Sequence, residues 1–107
     1  MLQTPVERLK KKIEKENLWI FILSSLEKNK RYGNELRKLI KEKFGFLTGL
    51  MTSYKVLYLL ELGGSVKSKK EGKIIFYEIT EKGKKELKEA KEILKNYSEM
   101  IWWFRKN

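Results

Sequence analysis

Apolar positions along the chain follow helical spacing in most segments and strand-like alternation in one. The clearest helix is predicted over residues 49–62, where one face carries a residue every three or four positions: Leu50, Ser53, Leu57 and Leu60. Thr48 is the expected N-cap of this helix. Gly63 and Gly64 are expected to end it, because glycine takes the left-handed conformation without a steric cost.

A β-hairpin is predicted directly after this helix. Residues 65–68 and 74–79 are rich in β-forming residues, and the sequence KKEGK forms the basic loop between them. A helix followed by a hairpin with a cationic tip is the arrangement of recognition helix and wing in a winged helix-turn-helix. The pattern therefore indicates a regulator that binds DNA.

An N-terminal helix is predicted over residues 1–16. Thr4 is the expected cap, Pro5 takes the first helical position, and Glu7 completes a capping box. A narrow apolar seam surrounded by lysines runs along this helix: Leu2, Val6, Leu9 and Ile13. Such a seam suits packing on another helix, and the alternative is a frayed basic arm that contacts the DNA backbone.

Two helices are predicted between this segment and the recognition helix. Asn17 is the expected cap of a helix from residue 18 to about residue 28, which is apolar on nearly every side and should lie at the centre of the core. Residues 32–34 open the next helix, which runs to Phe44 and is closed by Gly45. This is the first helix of the predicted helix-turn-helix.

A long C-terminal helix is predicted from Glu81 towards Arg105, with Thr80 as its cap. At about 1.5 Å per residue it would exceed about 30 Å, which is more than the core requires. Its apolar residues form a heptad-type seam: Leu87, Ala90, Leu94, Tyr97, Ile101 and Phe104. We expect this seam and that of the N-terminal helix to form a dimer interface with a second copy.

Together these elements predict a mainly helical α+β fold. It is a winged helix-turn-helix with a two-stranded wing and extra dimerisation helices at both ends. The parts are an N-terminal helix (1–16), a DNA-binding core (17–80) and a C-terminal helix (81–107). A length of 107 residues suits one domain with a single modest core.

The net charge of +11 indicates affinity for a polyanion, with nucleic acid as the first expectation and an anionic membrane surface as the second. The alternative explanation is a lysine-rich coat that keeps the protein in solution. All 14 acidic residues are glutamate, and this Lys/Glu-rich composition suggests a thermophilic source.

The missing residue types exclude several kinds of chemistry. Because the chain has no cysteine or histidine, it cannot form disulfides, thiolate nucleophiles, imidazole bases or Cys/His zinc sites. Its glutamates alternate with lysines along helices as solvated pairs, so we expect no enzyme, metal or cofactor. The longest apolar run, residues 18–23, is too short to span a bilayer, and a cytoplasmic location is expected.

Three motifs resemble those of the PadR family of winged-helix transcriptional regulators. Residues 52–66 (TSYKVLYLLELGGSV) resemble its signature T-aliphatic-Y-R-x-L-x-x-L-E-x-x-G-L-I, with Ser53 at the aliphatic position. Residues 76–83 (FYEITEKG) resemble its Y-Y-x-L-T-E-x-G motif, and residues 33–36 (GNEL) are similar to its G-Y-E-L. The resemblance implies a homodimeric repressor held by its terminal helices, with phenolic or other hydrophobic effectors in some members.

The recognition helix supplies the first candidates for base contact. Thr52 and Lys55 lie in its first two turns, which normally reach base edges in the major groove. Tyr54 either reaches a phosphate or packs its ring against the preceding helix. The wing lysines either follow the DNA backbone or form a solvated hairpin tip. The DNA-binding candidates are Arg31, Thr48, Met51, Thr52, Tyr54, Lys55, Tyr58, Lys67, Lys69, Lys70 and Lys73.

A dimer with twofold symmetry would place two recognition helices about one DNA turn apart, roughly 34 Å, and would prefer an inverted repeat. The rival function on DNA is a sequence-independent chromatin-type protein, which would use the same basic surface.

Aromatic residues raise two further alternatives. Six of them could line an effector pocket for a small hydrophobic ligand, or could instead pack in the core and interface: Trp19, Phe21, Tyr97, Trp102, Trp103 and Phe104. Residues 100–106 (MIWWFRK) also have the composition of an interfacial membrane anchor or protein-binding segment, although no membrane partner is expected.

Overall fold

The computed structural model describes residues 2–106, and these form five α-helices and three β-strands. The elements are α1 (Pro5–Lys11), a π-helical turn (Lys12–Glu16), α2 (Leu18–Ser25), β1 (Arg31–Tyr32), α3 (Gly33–Phe44), α4 (Leu50–Leu62), β2 (Val66–Glu71), β3 (Ile74–Ile79) and α5 (Glu81–Lys106). Met1 and Asn107, which the predicted N- and C-terminal parts include, lie outside the described residues.

Helix α1 begins with the capping box that the sequence predicts. The Glu7 amide donates a hydrogen bond to Thr4 Oγ1 at 3.1 Å, and the Thr4 amide donates to Glu7 Oε2 at 3.4 Å. The described residues of α1 include no buried one, and Leu2, Val6 and Leu9 are exposed. Helix α1 therefore contributes no side chain to the core.

Helix α2 lies at the centre of the fold, as expected from its apolar sequence. Leu18, Ile22 and Leu23 are fully buried. The predicted cap is wrong, because the Asn17 side chain makes no cap hydrogen bond to α2 and its amide group instead donates to the Lys12 carbonyl at 3.2 Å. The helix also ends at Ser25 rather than near residue 28.

The hydrophobic core joins α2 to every later helix and to the first wing strand. Leu36 and Ile40 come from α3, Leu57 from α4, Val66 from β2 and Leu87 from α5. Because α4 and α5 share one core with α2, the recognition helix and the C-terminal helix are fixed on the same body.

Helix α4 differs from the prediction at its start. Gly49 is the N-cap rather than Thr48. Ser53 and Leu57 are buried as predicted, but Leu50 is exposed. Leu50 lies in the first turn, beyond the edge of the core, so its place on the helix wheel is not sufficient to bury it.

The sheet has three antiparallel strands in the order β1-β3-β2. The short strand β1 was not predicted, and it pairs Arg31 with Tyr77. Strand β2 extends to Glu71, which pairs with Ile74, so the hairpin turn contains only Gly72 and Lys73. Gly72 has a φ of 63°, which suits a glycine at the first central position of a two-residue turn. The fold class is confirmed as a winged helix-turn-helix.

Helix α5 extends far beyond the core. The Gly83 amide donates to Thr80 Oγ1 at 3.1 Å, which confirms Thr80 as its cap. With 26 residues the helix is about 39 Å long. Gly83, Leu87 and Ala90 are buried, whereas residues 91–106 are exposed.

Candidate nucleic-acid interface

The outward face of α4 presents the side chains expected to read bases. Met51 is 81% exposed and Tyr58 is 64% exposed, and Thr52 and Lys55 are exposed between them. The opposite face is held by Leu57, which is 1% exposed. Burial of one face therefore fixes the orientation of the other towards solvent.

The turn before α4 is fixed by a hydroxyl pair that the sequence did not predict. Thr48 is only 7% exposed, and its Oγ1 lies 3.1 Å from Ser53 Oγ. Ser53 in turn donates to the Gly49 carbonyl at 2.8 Å, and Arg37 Nε donates to the Thr48 carbonyl at 3.1 Å. The expectation of an exposed Thr48 at the DNA surface is wrong, since its hydroxyl is used inside the turn.

The Tyr54 ring packs against the start of α3, which was one of its two predicted positions. A Cβ atom added to Gly33 would lie 2.6 Å from Tyr54 Oη and 2.7 Å from Cε1. Glycine at position 33 therefore gives the tyrosine room to lie on the backbone of α3. Tyr54 remains partly exposed at the edge of this contact.

A shallow depression brings α3, α4 and the wing together. Its volume is about 270 Å³, and its lining includes Asn34 from the start of α3, Tyr54 from α4 and Lys73 from the hairpin turn. Tyr77 also lines it, and burial raises the pKa of the Tyr77 phenol, with smaller contributions from Glu61 and Tyr54. The recognition helix and the wing therefore border one continuous surface.

The wing carries exposed lysines along a strand rather than in a loop. Lys67, Lys69 and Lys70 belong to β2, and Lys73 lies in the turn. Lys67 Nζ is 3.5 Å from Glu78 Oε2 across the hairpin. The wing therefore has a regular backbone that displays its cations at strand spacing.

Lys30 holds the wing to the segment before β1. Its Nζ donates to Glu71 Oε1 at 2.6 Å and lies 5.0 Å from the centre of the Phe76 ring. The hydrogen bond from Lys30 lowers the pKa of the Glu71 carboxyl, and the same bond raises the pKa of Lys30. No sequence motif pointed to this pair, because its members are far apart along the chain.

Arg31 is used inside the fold rather than displayed for DNA. Its Nε donates to the Ser25 carbonyl at 2.7 Å, and Nη1 lies 3.8 Å from Glu35 Oε2. The side chain is mostly covered. The structure thus places this predicted DNA-binding residue at the end of α2, where it satisfies a terminal carbonyl.

The terminal seams lie outside the core, except for Leu87 and Ala90 in the first turns of α5. Leu94, Tyr97, Ile101 and Phe104 of α5 are all exposed, and the α1 seam is exposed up to a half-covered Ile13. Leu87 is 2% exposed and belongs to the core of its own chain. Its predicted place in a dimer interface is therefore wrong.

A groove of about 510 Å³ runs between α2 and α5, and we call it the α2–α5 groove. Trp19 and Phe21 line it together with Ile93. Its charged lining residues are the carboxylates Glu86 and Glu89. The other predicted pocket aromatics lie farther along α5, where Trp103 and Phe104 border a separate exposed depression and Arg105 lies over Trp102 at 5.6 Å.

Comparison with known proteins decides the family. The family described as "Transcriptional regulator PadR-like family" matches residues 22–89, which include α3, α4, the wing and the start of α5. This chain belongs to the PadR-like family. It is a winged-helix, DNA-binding transcriptional regulator. Among its described residues, no helix is both long and apolar enough to cross a membrane.

Solved PadR-like structures have the same architecture. A transcriptional regulator from Clostridium thermocellum, Cth-833, is 28% identical with a TM-score of 0.76, over 86% of this chain and 96% of that one. A PadR family transcription regulator from Clostridium difficile is also 28% identical, with a TM-score of 0.75 over 81% and 96% of the two chains.

One similar structure was determined on DNA. Bacillus subtilis PadR in complex with operator DNA is 25% identical with a TM-score of 0.61, over 69% of this chain and 47% of that one. A search of curated protein sequences gave no significant match.

Proposed function

We propose that this PadR-like protein is a homodimeric repressor that reads an inverted-repeat operator in double-stranded DNA. Helix α4, within the predicted segment 49–62, enters the major groove, and the wing over residues 67–73 follows the adjacent backbone. The protein acts on DNA in the cytoplasmic nucleoid. The observation that carries the proposal is the continuous surface formed by α4, the start of α3 and the turn of the wing.

On the exposed face of α4, Thr52 and Lys55 are the proposed base-reading residues. Both are exposed in the first two turns of α4. A lysine can donate to guanine O6 or N7 or to a phosphate, and a threonine can contact a thymine methyl group or a phosphate. Met51 and Tyr58 extend the contact, and Lys69, Lys70 and Lys73 supply phosphate contacts from the wing.

The test is selection of bound fragments from a random duplex pool at about physiological salt, repeated with Lys55→Ala. We expect enrichment of an inverted repeat with half-sites one helical turn apart, and weaker enrichment for the variant. Lys88→Ala is the matched control, because it removes an exposed lysine from α5 instead of α4. Strong binding with no enriched motif would favour the chromatin-type function, and no binding would overturn both.

The proposed dimer uses the exposed seams of α1 and α5. Leu94, Ile101 and Phe104 form an apolar stripe that continues past the core, and helices with such stripes pair by knobs-into-holes packing. The carboxylates of the α2–α5 groove complement the lysines that flank the α1 seam, so α1 of a second copy suits this groove.

The dimer is tested by placing a charge in the stripe. Ile101→Glu should raise the dimer dissociation constant by at least about 100-fold, because a carboxylate would be buried without a partner. Lys95→Glu alters charge on the opposite side of the same helix and should leave the dimer intact. Sedimentation velocity of both variants measures the difference, and a dimeric Ile101→Glu protein would disprove this interface.

A small hydrophobic effector is a second proposed ligand of the α2–α5 groove. The volume of about 510 Å³ lies within the range of small-molecule sites, and Trp19 and Phe21 provide aromatic walls. Quenching of Trp19 fluorescence in Trp102→Phe/Trp103→Phe protein, on titration with a phenolic probe, would test this ligand class. Unchanged fluorescence up to millimolar probe would refute it.

A further inference from the structure

The start of α5 holds the short segment that joins the recognition helix to the wing. We call this segment, Gly63 to Ser65, the joint. Thr80 Oγ1 donates to the Gly64 carbonyl at 2.6 Å, and the Thr80 amide donates to the Ser65 carbonyl at 3.1 Å. Lys82 Nζ donates to the Gly63 carbonyl. These bonds satisfy carbonyl groups at the end of α4 with groups from α5.

The backbone of α5 also touches the joint directly. A Cβ atom on Gly83 would collide with the Ser65 carbonyl oxygen and with Ile79. The Ser65 amide donates to the Leu60 carbonyl at 2.8 Å, so the joint is continuous with the last turn of α4. The end of the recognition helix therefore rests on the first turn of the C-terminal helix.

Glu86 makes a second contact one turn farther along α5. Ser65 Oγ donates to Glu86 Oε1 at 2.5 Å, and Ser65 is 5% exposed. A hydrogen bond from a hydroxyl to a carboxylate is stronger than an ordinary hydrogen bond between neutral groups. Residue 86 lies about 4.5 Å along the axis from residue 83, so the joint is held at two separated points.

Two separated contacts restrict rotation in a way that one contact cannot. Leu87 packs α5 on α2, but without a further contact to the joint the angle between α4 and α5 would be set only through α2 and the first turn of α5. The Glu86 bond opposes a change of that angle because it ties the next turn of α5 to the same residue of the joint. Glu86 also lines the α2–α5 groove, so it touches both the groove and the joint.

We propose that Glu86 is a positioning residue for DNA reading, which fixes the angle between α4 and α5 through Ser65. The inference rests on the proposed function, because a dimer held by α5 sets the distance between its two recognition helices through this angle. Glu86 does not contact DNA. It determines which half-site spacing the dimer accepts.

The first test measures spacing preference. Glu86→Ala should bind a single half-site within twofold of the unmodified protein, but should lose about tenfold in affinity for the inverted repeat at its preferred spacing. The ratio of affinities between the preferred half-site spacing and a spacing longer or shorter by one base pair should fall by a similar factor. Glu86→Gln should restore the preference, because its amide oxygen still accepts from Ser65.

The matched control is Glu92→Ala, which removes an exposed carboxylate from the same helix outside the groove. It should keep the spacing preference. Unaltered spacing preference in Glu86→Ala would overturn the proposal. Equal loss on half-site and full site would overturn it too, since that result indicates a general loss of folded structure.

The second test does not depend on DNA. The chain has no cysteine, so spin labels can be attached through Leu59→Cys on α4 and Lys95→Cys on α5 alone. The distance distribution between the labels should broaden with Glu86→Ala and remain narrow with Glu86→Gln or Glu92→Ala. A narrow distribution in Glu86→Ala would refute the positioning role.

The two tests separate this inference from the proposed function. If the unmodified protein shows no preferred spacing, the dimeric-operator function fails, and with it the claim about spacing. The spin-label distances would still decide whether Glu86 fixes the angle between α4 and α5.

Discussion

At Gly83, helix propensity and tertiary packing make opposite demands. Alanine is favoured over glycine by about 1 kcal/mol in a helix interior, but a Cβ here would collide with the Ser65 carbonyl. Because that oxygen belongs to the backbone, the collision cannot be relieved by a change of rotamer. The close approach therefore outweighs the local preference.

We predict that Gly83→Ala lowers the free energy of unfolding by about 1–3 kcal/mol, the usual cost of overpacking. Gly63→Ala is the control, because its Cβ would meet the Leu59 carbonyl at an ordinary 3.4 Å with φ at −79°. Urea denaturation of both variants measures the difference. Equal midpoints would contradict the predicted collision.

Tyr77 should make stability depend on pH in alkaline solution. Burial raises its pKa in the folded protein above the ordinary value of 10.0. The unfolded chain therefore loses this proton first, so the contribution of Tyr77 is fully present below pH 10.0 and is lost as pH rises through the folded pKa.

The measurement is absorbance titration of tyrosinate together with urea denaturation between neutral and alkaline pH. Tyr77→Phe should remove the phenol whose pKa is raised by burial and flatten the decline in stability above pH 10.0. Tyr97→Phe is the control, because Tyr97 is exposed on α5. An unchanged alkaline decline in Tyr77→Phe would show that another group is responsible.

Of the residues predicted to contact DNA, Thr48 and Arg31 are largely covered, and local spacing could not show this. Thr48 lies one residue before α4, where helical spacing no longer says which way a side chain points. Ser53 was expected on the buried face, yet its hydroxyl partner could not be predicted. Arg31 bonds to a carbonyl at the end of α2, a contact that depends on tertiary structure.

Among the elements, helices were predicted better than strands. Helices α3, α4 and α5 have the predicted extents to within a few residues, since their apolar spacing and glycine stops are local signals. Strand β1 has only two residues and exists because Arg31 and Tyr32 pair with β3 far along the chain. Such pairing leaves no periodic pattern in the sequence.

The two threonine caps differ in how many contacts with the rest of the fold depend on them. Thr80 caps α5 and also donates to the joint, whereas Thr4 caps α1, whose described residues are not buried. We predict that Thr80→Ala costs about 1–2 kcal/mol of unfolding free energy, while Thr4→Ala costs less than about 0.5 kcal/mol.

Thermal and urea denaturation of the Thr80→Ala and Thr4→Ala proteins give the comparison. Thr80→Ser is a suitable rescue variant, because it keeps the hydroxyl. If both alanine variants were destabilised equally, α1 would be an integral part of the folded unit and the exposed position of its side chains would need another explanation.

For the whole molecule, charge controls how tightly DNA is held. Each lysine that neutralises a phosphate adds about 0.9 to the slope of log affinity against log salt concentration. We predict that Lys73→Ala lowers this slope by about 1.8 in the proposed dimer, once for each copy. Lys91→Ala should leave the slope unchanged, since Lys91 Nζ donates to Glu27 Oε1 at 3.0 Å, just after the end of α2.

Affinity of both variants for one operator-sized duplex at several salt concentrations provides the measurement. An unchanged slope for Lys73→Ala would mean that the turn of the wing stays in solvent, which is the alternative that the sequence left open. The net charge of +11 alone could not decide this, because it does not say which lysines approach DNA.

A small tilt at the base of helix α5 produces a larger displacement at its far end. Because the helix is about 39 Å long, a tilt of about 5° at its base moves its far end by about 3 Å. A small change near residues 80–86 is therefore magnified at the tip, whereas a substitution in the last turns displaces only its own surroundings. Natural selection should accordingly accept little sequence drift in the turn where the helix begins, although that turn lies far from the exposed apolar stripe.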